Sequence, residues 1–249
     1  MPRFFVTKEE IQDGIVTIIG EDAHHISRAL RMAAGEQITV CDADGTDYDC
    51  VLTDFLSDRV LARVEGSHPS ETEPPYVAVL YQGLPKGDKL DQVIQKAVEC
   101  GVSRVIPFES ERCVVRIKDG TGETGKKERR NRIAAEAAKQ CGRGILPSVE
   151  ASRTFREVLG DAAGYDLALI CYEGQGTRPL TEVLAEAKPK MAERPSVALM
   201  IGSEGGFSPS EAEAAKNAGW IPVGFGKRIL RTETAPVFAL AGLSCAWEI

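Results

Sequence analysis

Met200 to Glu213 reads MIGSEGGFSPSEAE, and the order of residues in this stretch decides the fold class. An apolar run, Ser196 to Ile201, ends where Gly202, Gly205 and Gly206 begin. Ser208 then precedes Pro209, with Glu211 three places after the serine. That spacing is a capping box, and proline suits the first helical position, so a helix starts here. Glycines at a strand end let backbone amides come close to a ligand. A tight strand-to-helix turn that binds nothing would look the same. The phosphate-loop pattern GxxxxGK[ST] and the dinucleotide pattern GxGxxG are both missing, and Glu204 makes the loop a poor host for a polyphosphate.

The alternation continues outward from that turn. Val77 to Gln82, Arg104 to Phe108, Asp166 to Tyr172 and Ile221 to Phe225 read as further buried strands. Between them, Asp88 to Cys100 carries Leu90, Val93, Ile94, Ala97 and Val98 at helical spacing, with Gly101 placed to end the helix. Lys127 to Cys141, Thr154 to Leu159, Pro179 to Lys188, Pro209 to Ala218 and a last segment from about Thr232 are also helical in pattern. Strands alternating with helices imply a mainly parallel sheet covered on both faces. Ligands in such sheets sit at the carboxyl ends of the strands. A second passage, GFGKRILRTETAPVFALAGL from Gly224 to Leu243, lies at such an end. Ile229 and Leu230 are aliphatic where a loop would be polar, which suits a flat apolar ligand such as an adenine ring. Arg231, Thr232, Glu233 and Thr234 crowd the helix start, where Thr232 or Thr234 could simply be the cap. The two passages together outline one pocket.

Residues 1–70 read differently. Gly14 to Ile19, Gln37 to Asp42, Tyr48 to Thr53 and Arg59 to Glu65 are short strands, and Asp42 to Gly45 (DADG) is a turn. One helix, DAHHISRALRM, interrupts them, with Ile26, Leu30 and Ala33 on one face and Arg28 and Arg31 on another. The stretch SHPSETEPPY, Ser67 to Tyr76, has three prolines and no aliphatic residue, and reads as a stiff solvated linker. Two domains follow, 1–70 and 77–249, with 71–76 joining them. Gly120 to Lys127 (GTGETGKK) reads as a flexible exposed loop.

The chain has 249 residues, 43% hydrophobic and 27% charged, a balance that excludes disorder and leaves room for a sizeable core. Its apolar runs are too short to span a bilayer and its start, MPRFFVTKEE, lacks a signal core, so a soluble cytoplasmic protein is expected. Seven scattered cysteines without a CxxC pair, and three histidines, supply neither a disulfide framework nor a metal site. Most of the thiols are expected to be buried and reduced. The net charge is −7, yet Arg112 to Arg143 holds 10 Lys/Arg against 4 Asp/Glu. Such a basic stripe attracts phosphates over a Debye length of about 10 Å, although a solvated helix face would carry the same residues. On a helix Glu136, Gln140 and Arg143 share a face; Arg129, Arg132 and Arg143 could grip phosphates while Gln140 reads a base edge.

These passages, in order, resemble the ribosomal RNA small-subunit methyltransferase E family of the SPOUT superfamily. The likeness runs through RFFV (Arg3 to Val6), HHISRALRM (His24 to Met32), KGDKLDQVIQKAVECGV (Lys86 to Val102) and SERC (Ser110 to Cys113). It continues in EAAKQCGR (Glu136 to Arg143), IGSEGGFS (Ile201 to Ser208) and ILRTETA (Ile229 to Ala235). Ser203 stands where the family's GPEGG loop has proline, a change expected to loosen that turn.

The resemblance implies a PUA-like β-barrel followed by a SPOUT-type α/β domain with a carboxyl-terminal trefoil knot, and a homodimer. It implies S-adenosylmethionine as cofactor, held by Ile201, Gly202, Glu204, Gly205, Gly206, Gly226, Ile229, Leu230, Arg231 and Thr232. It implies methylation of N3 of a uridine in 16S ribosomal RNA, free or in the small subunit, without metal or membrane. RNA would be held by His25, Arg28, Arg31, Arg112, Arg129, Arg132, Gln140 and Arg143, though residues 1–70 are acidic, with 6 basic and 13 acidic side chains. Uridine N3 is a poor nucleophile until its proton leaves, so the reaction wants donors at the flanking carbonyls and a base. Arg3, Arg231 and Arg143 are the candidate donors; Glu136, Glu204 and His25 are the candidate bases. Arg231, Glu136 and Arg3 are the residues expected to act in catalysis. A knotted methyltransferase acting on transfer RNA or a ribose 2′-hydroxyl, and a non-catalytic RNA-binding assembly factor, are the competing readings.

Overall fold

Alternating burial along the longer of six strands organises the amino-terminal unit of this computed structural model, which describes residues 1–117 and 122–249. The strands are β1 (Arg3–Phe5), β2 (Ile11–Gln12), β3 (Ile15–Ile19), β4 (Gln37–Cys41), β5 (Thr46–Phe55) and β6 (Arg59–Pro69), and they form one sheet in the order β1-β4-β5-β6-β3-β2. β1 joins β4 in parallel and every other pair is antiparallel, so the sheet is a mixed half-barrel. Val16, Ile18, Ile38, Val40, Leu52, Val60 and Ala62 fill its interior. The DADG turn forms as expected: Asp42 Oδ1 accepts from the Asp44 and Thr46 amides, and Ala43 and Gly45 take positive φ.

Two expectations for this unit are corrected. DAHHISRALRM is a short α1 (Gly20–His24) followed by a π-turn in which the Leu30 amide donates to the His25 carbonyl five residues back. The wider turn breaks the Ile26–Leu30 alignment: Ile26 is buried while Leu30 is exposed, and Arg31, at φ 53°, ends the segment. Ser67 to Tyr76 is not a solvated linker throughout. β6 runs to Pro69, the Glu73 carboxylate is buried in an ion pair, and Tyr76 is fully buried.

The second unit is an α/β sheet of eight strands. β7 (Val77–Gly83), β8 (Val102–Glu109), β9 (Ser148–Val149), β10 (Arg153–Thr154), β11 (Leu167–Cys171), β12 (Arg178–Pro179), β13 (Ser196–Ile201) and β14 (Ile221–Gly224) run in the order β10-β8-β7-β13-β11-β14-β12, with β9 also on β8. All pairings are parallel. The helices are α2 (Lys89–Glu99), α3 (Gly122–Cys141), α4 (Phe155–Leu159), α5 (Leu180–Ala187), α6 (Pro209–Asn217) and α7 (Ala235–Trp247). Tyr81, Ile106, Ile170, Ala198 and Met200 pack with Val158, Ala215 and Trp220 on one face. Leu80, Leu169 and Leu199, of opposite parity, are as deeply buried on the other. Burial on both faces is why these strands are continuously apolar. The expected class, a small β unit followed by an α/β unit with a mainly parallel sheet, is the one observed.

α2 buries the five residues its spacing marked, and Gly101 ends it at φ 89°. The chain divides into Met1–Glu73 with Ala138–Leu146, and Pro74–Ala137 with Pro147–Ile249. Membership of Ala138–Leu146 in the first unit has no counterpart in a division at 71–76. Gly120 to Lys127 is also corrected: α3 already includes residues 122–127, while Gly120 and Thr121 lie outside the described residues. Three of the seven thiols are buried (Cys41, Cys50 and Cys113), fewer than expected, and none of the seven is in a disulfide. Burial pushes Cys41 and Cys50 up to about 11. No helix among the described residues is long and apolar enough to cross a membrane.

Candidate active site

Parallel register brings four strand ends to one edge: Gln82 pairs with Ile201, Ile170 with Met200, and Cys171 with Val223. The loop after β13 is pinned at its carboxyl end. Phe207 stacks on Phe108 at 6.2 Å and 5°, and Ser208 and Glu211 form the expected capping box on α6. Just before these anchors the Gly206 amide donates to the Ser203 carbonyl at 2.9 Å, so the turn closes with serine in place of proline. A Cβ on Gly202 would meet the Gly206 Cα at 3.0 Å, and one on Gly205 would meet the Arg112 Cβ at 2.8 Å. This turn is held by backbone approach that side chains would block.

A cavity of about 830 Å³ opens at this edge. Ile201 to Phe207 form one wall, Val223 to Thr232 a second, and Cys171 to Gly174 with Thr177 a third. The last follows the Asp166 to Tyr172 run, and a Cβ on Gly174 would meet the Tyr172 ring, which would have to move. Ile201, Gly202, Glu204, Gly205, Gly206, Gly226, Ile229, Leu230, Arg231 and Thr232 all line the cavity, and so does Arg112. Ile229 is 80% exposed whereas Leu230 is half-buried, so Leu230 is the aliphatic group turned toward the wall.

Charge in the cavity is organised by Lys89, the first residue of α2. Its Nζ lies 3.0 Å from Glu204 and 3.4 Å from Glu233. Burial raises the Glu204 carboxyl, but hydrogen bonds from its own amide, Lys89 and the Lys86 amide outweigh it and hold the group below the usual range. The hydrogen bond to Glu204 in turn raises Lys89. Burial pushes the Cys171 thiol well up, so it enters the cavity as a neutral group. Arg231 lines the cavity with its guanidinium making no hydrogen bond or ion pair among the described residues. Its carbonyl accepts the Thr234 and Ala235 amides and so starts α7. Neither threonine caps the helix with its side chain: Thr234 makes no such bond, and the Thr232 hydroxyl donates to the Gly202 carbonyl at 2.9 Å.

Other expected site residues lie elsewhere. Arg3 is committed to the Asp47 carboxylate and to the Arg143 carbonyl at 2.8 Å. Arg143 is buried and grips Glu73 through two bonds of 2.8 and 2.7 Å. It does not share a helix face with Glu136 and Gln140, because α3 ends at Cys141 and Gly142, at φ 76°, turns the chain so that the Arg143 amide bonds Ala138. Arg3 and Arg143 therefore serve as internal ties of the amino-terminal unit. Glu136 and Gln140 are exposed on α3, Arg129 is paired to Asp91 at 2.6 Å, and Arg132 is exposed. His25, Arg28 and Arg31 are exposed on the π-turn segment. None of these lines the cavity. Sequence reading missed Lys89 and Gln82; the signal for Gln82 was a polar residue in the apolar run VAVLYQG.

A family model described as an RNA methyltransferase domain matches residues 72–244, and one described as an RNA methyltransferase PUA domain matches residues 18–65. The ribosomal RNA small subunit methyltransferase E of Bacillus subtilis (strain 168) is 34% identical over 252 residues, covering 100% of this chain and 98% of that one. The enzyme of the same name from Neisseria gonorrhoeae, solved bound to S-adenosyl methionine, is 31% identical with a TM-score of 0.86, covering 99% of this chain and 98% of that one. A protein from Legionella pneumophila, solved with the same cofactor bound, is 30% identical with a TM-score of 0.83, covering 98% and 97%. Likeness over the full length, including both the half-barrel and the glycine-walled cavity, places this chain in the ribosomal RNA small subunit methyltransferase E family.

Proposed function

We propose that this protein is an S-adenosylmethionine-dependent ribosomal RNA methyltransferase, and that its target is N3 of a uridine in 16S ribosomal RNA. The observation that carries the reading is the cavity at the β11–β13–β14 edge, together with the cofactor-bound relatives. Its residues fit such a cofactor. The volume lies in the range for a small-molecule site. The glycine turn brings backbone amides close, and Glu173 and Glu204 suit a ligand carrying positive charge. When bound, the cofactor supplies an electrophilic methyl group.

The chain's own residues then act on the base. Arg231 can donate to the uridine carbonyl oxygens and stabilise the charge that develops as the N3 proton leaves. Of the three residues expected in catalysis it alone lines the cavity, since the Arg3 guanidinium is bound to Asp47 and Glu136 is exposed on α3. Of the three candidate bases Glu204 alone lines it. The carboxyl-terminal knot and the homodimer belong to the same reading, and sedimentation at twice the chain mass is the expected result for the dimer.

The cofactor assignment is tested by calorimetric titration with S-adenosylhomocysteine. Wild type should bind, and Gly205→Val should not while remaining folded, because its side chain would strike Arg112. A Gly205→Val protein with wild-type affinity would reduce the turn to a plain strand-to-helix connection. A non-catalytic RNA-binding factor would bind RNA in a salt-sensitive way and show no affinity for S-adenosylhomocysteine.

RNA contact is proposed for the exposed basic face of α3. Each phosphate contact adds about −0.7 to −0.9 to the slope of log affinity against log salt. Arg132→Ala should flatten that slope by about one such unit. Arg129→Ala should flatten it less, because Asp91 already offsets its charge. Unchanged slopes would return both residues to a solvated face.

A further inference from the structure

Gln82, near the carboxyl end of β7, is fully buried. Its Nε2 donates to the Gly83 carbonyl at 3.0 Å, to the Thr232 hydroxyl at 3.1 Å and to the Gly202 carbonyl at 3.4 Å. The Thr232 hydroxyl donates to the same Gly202 carbonyl. One amide on β7 thus ties together two walls of the cavity, the turn after β13 and the segment that leads into α7. Gln82 itself does not line the cavity. The approach beneath it is as close as backbone allows, since a Cβ on Gly83 would sit 2.6 Å from the Ser203 nitrogen.

The arrangement has a cost. Gln82 Oε1 is buried and has no hydrogen-bond partner among the described residues. A buried polar atom left unsatisfied destabilises the fold, and an apolar side chain of equal length would avoid that. Packing alone therefore does not account for glutamine here. Its donor is what the neighbouring β13, which ends in apolar Ile201, does not offer.

We propose that Gln82 is a positioning residue of the cofactor cavity, holding the Gly202 turn and the Thr232 segment at the separation that the cofactor requires. The proposal rests on the cofactor reading above. Gln82 acts through Gly202 and Thr232 and touches no reacting atom.

Calorimetric titration with S-adenosylhomocysteine tests it. Gln82→Met keeps the chain length and removes both amide heteroatoms. Affinity should fall on the order of tenfold while the thermal midpoint barely moves. Combined with Thr232→Val, the loss should be no greater than that of the weaker-binding single variant, because both remove the same tie. Affinity within twofold of wild type, or losses that add, would overturn the proposal. Gln82→Glu covers the case in which the methionine variant does not fold. A buried carboxyl has a raised pKa and keeps a donor only while protonated, so affinity in this variant should fall as pH rises while the wild-type profile stays flat. A flat profile in the glutamate variant would also overturn it. If wild type itself fails to bind, the cofactor reading falls and takes the proposal with it; if wild type and variants bind alike, only the proposal falls.

Discussion

Arg231→Ala should slow methylation by a factor on the order of 10²–10³ at saturating cofactor, the usual effect of removing a donor aimed at developing negative charge. The guanidinium lines the cavity and is engaged by no carboxylate among the described residues, whereas the neighbouring cation Lys89 is already shared by Glu204 and Glu233. The side chain is exposed and the start of α7 depends on the Arg231 carbonyl, which alanine keeps. The thermal midpoint should therefore stay within a degree or so of wild type, as for a surface substitution. Lysine should restore part of the rate, since it carries the charge without the planar fork that holds two acceptors together. Single-turnover rates compared with S-adenosylhomocysteine affinity decide the matter. A rate that falls only in proportion to lost cofactor binding would make Arg231 a cofactor-holding residue.

The largest stability effect is expected at Glu73. Its carboxylate accepts two bonds from the buried Arg143 guanidinium and further bonds from the Gly144 and Ile145 amides at 2.8 and 3.2 Å. Those contacts fasten the Ala138–Leu146 segment into the amino-terminal unit. Removing one partner of a buried ion pair costs about 3–5 kcal/mol, so Glu73→Ala should show that loss in denaturant unfolding of this unit. Cofactor affinity should be retained, because every lining residue of the cavity belongs to the other unit. Burial raises the Glu73 carboxyl, but the Arg143 hydrogen bonds and charge and the two amides outweigh it and hold the group low. A carboxyl depressed on folding stabilises above its unfolded value, about 4.3, and that contribution disappears as pH falls through the lower folded value. Wild type should lose stability across that acid window, and Glu73→Gln should lose less there. Equal acid profiles would mean that Glu73 does not drive the transition.

Much of the second unit was legible because local pattern and tertiary role coincide there. The apolar spacing of α2, the Ser208–Glu211 box and the five buried strands are each specified within a few residues of chain. The cavity walls followed from the same logic, as glycines and misplaced aliphatics at strand ends. What was not legible depends on a partner distant in sequence. Arginine in a basic stripe looks like a phosphate ligand, and nothing local shows that Arg143 faces Glu73, 70 positions earlier. The Arg3–Asp47 pair, 44 positions apart, is hidden from local pattern for the same reason. β9, β10 and β12 are two residues long and owe their existence to pairing with β8 and β14. The π-turn after α1 separates Ile26 from Leu30, which an α-helical periodicity would place together. Gln82 carried a signal, a polar side chain in an apolar strand, whose meaning needed Gly202 and Thr232, 120 and 150 positions later.

Methyl transfer to a uridine base is read out by product analysis. Small-subunit ribosomal RNA lacking the modification, free and assembled in the subunit, is incubated with the protein and S-adenosylmethionine labelled in its methyl group, then digested to nucleosides. The label is expected in N3-methyluridine, and Arg231→Ala should delay its appearance. Label in a 2′-O-methyl nucleoside, or in no nucleoside while S-adenosylhomocysteine still binds, would contradict it.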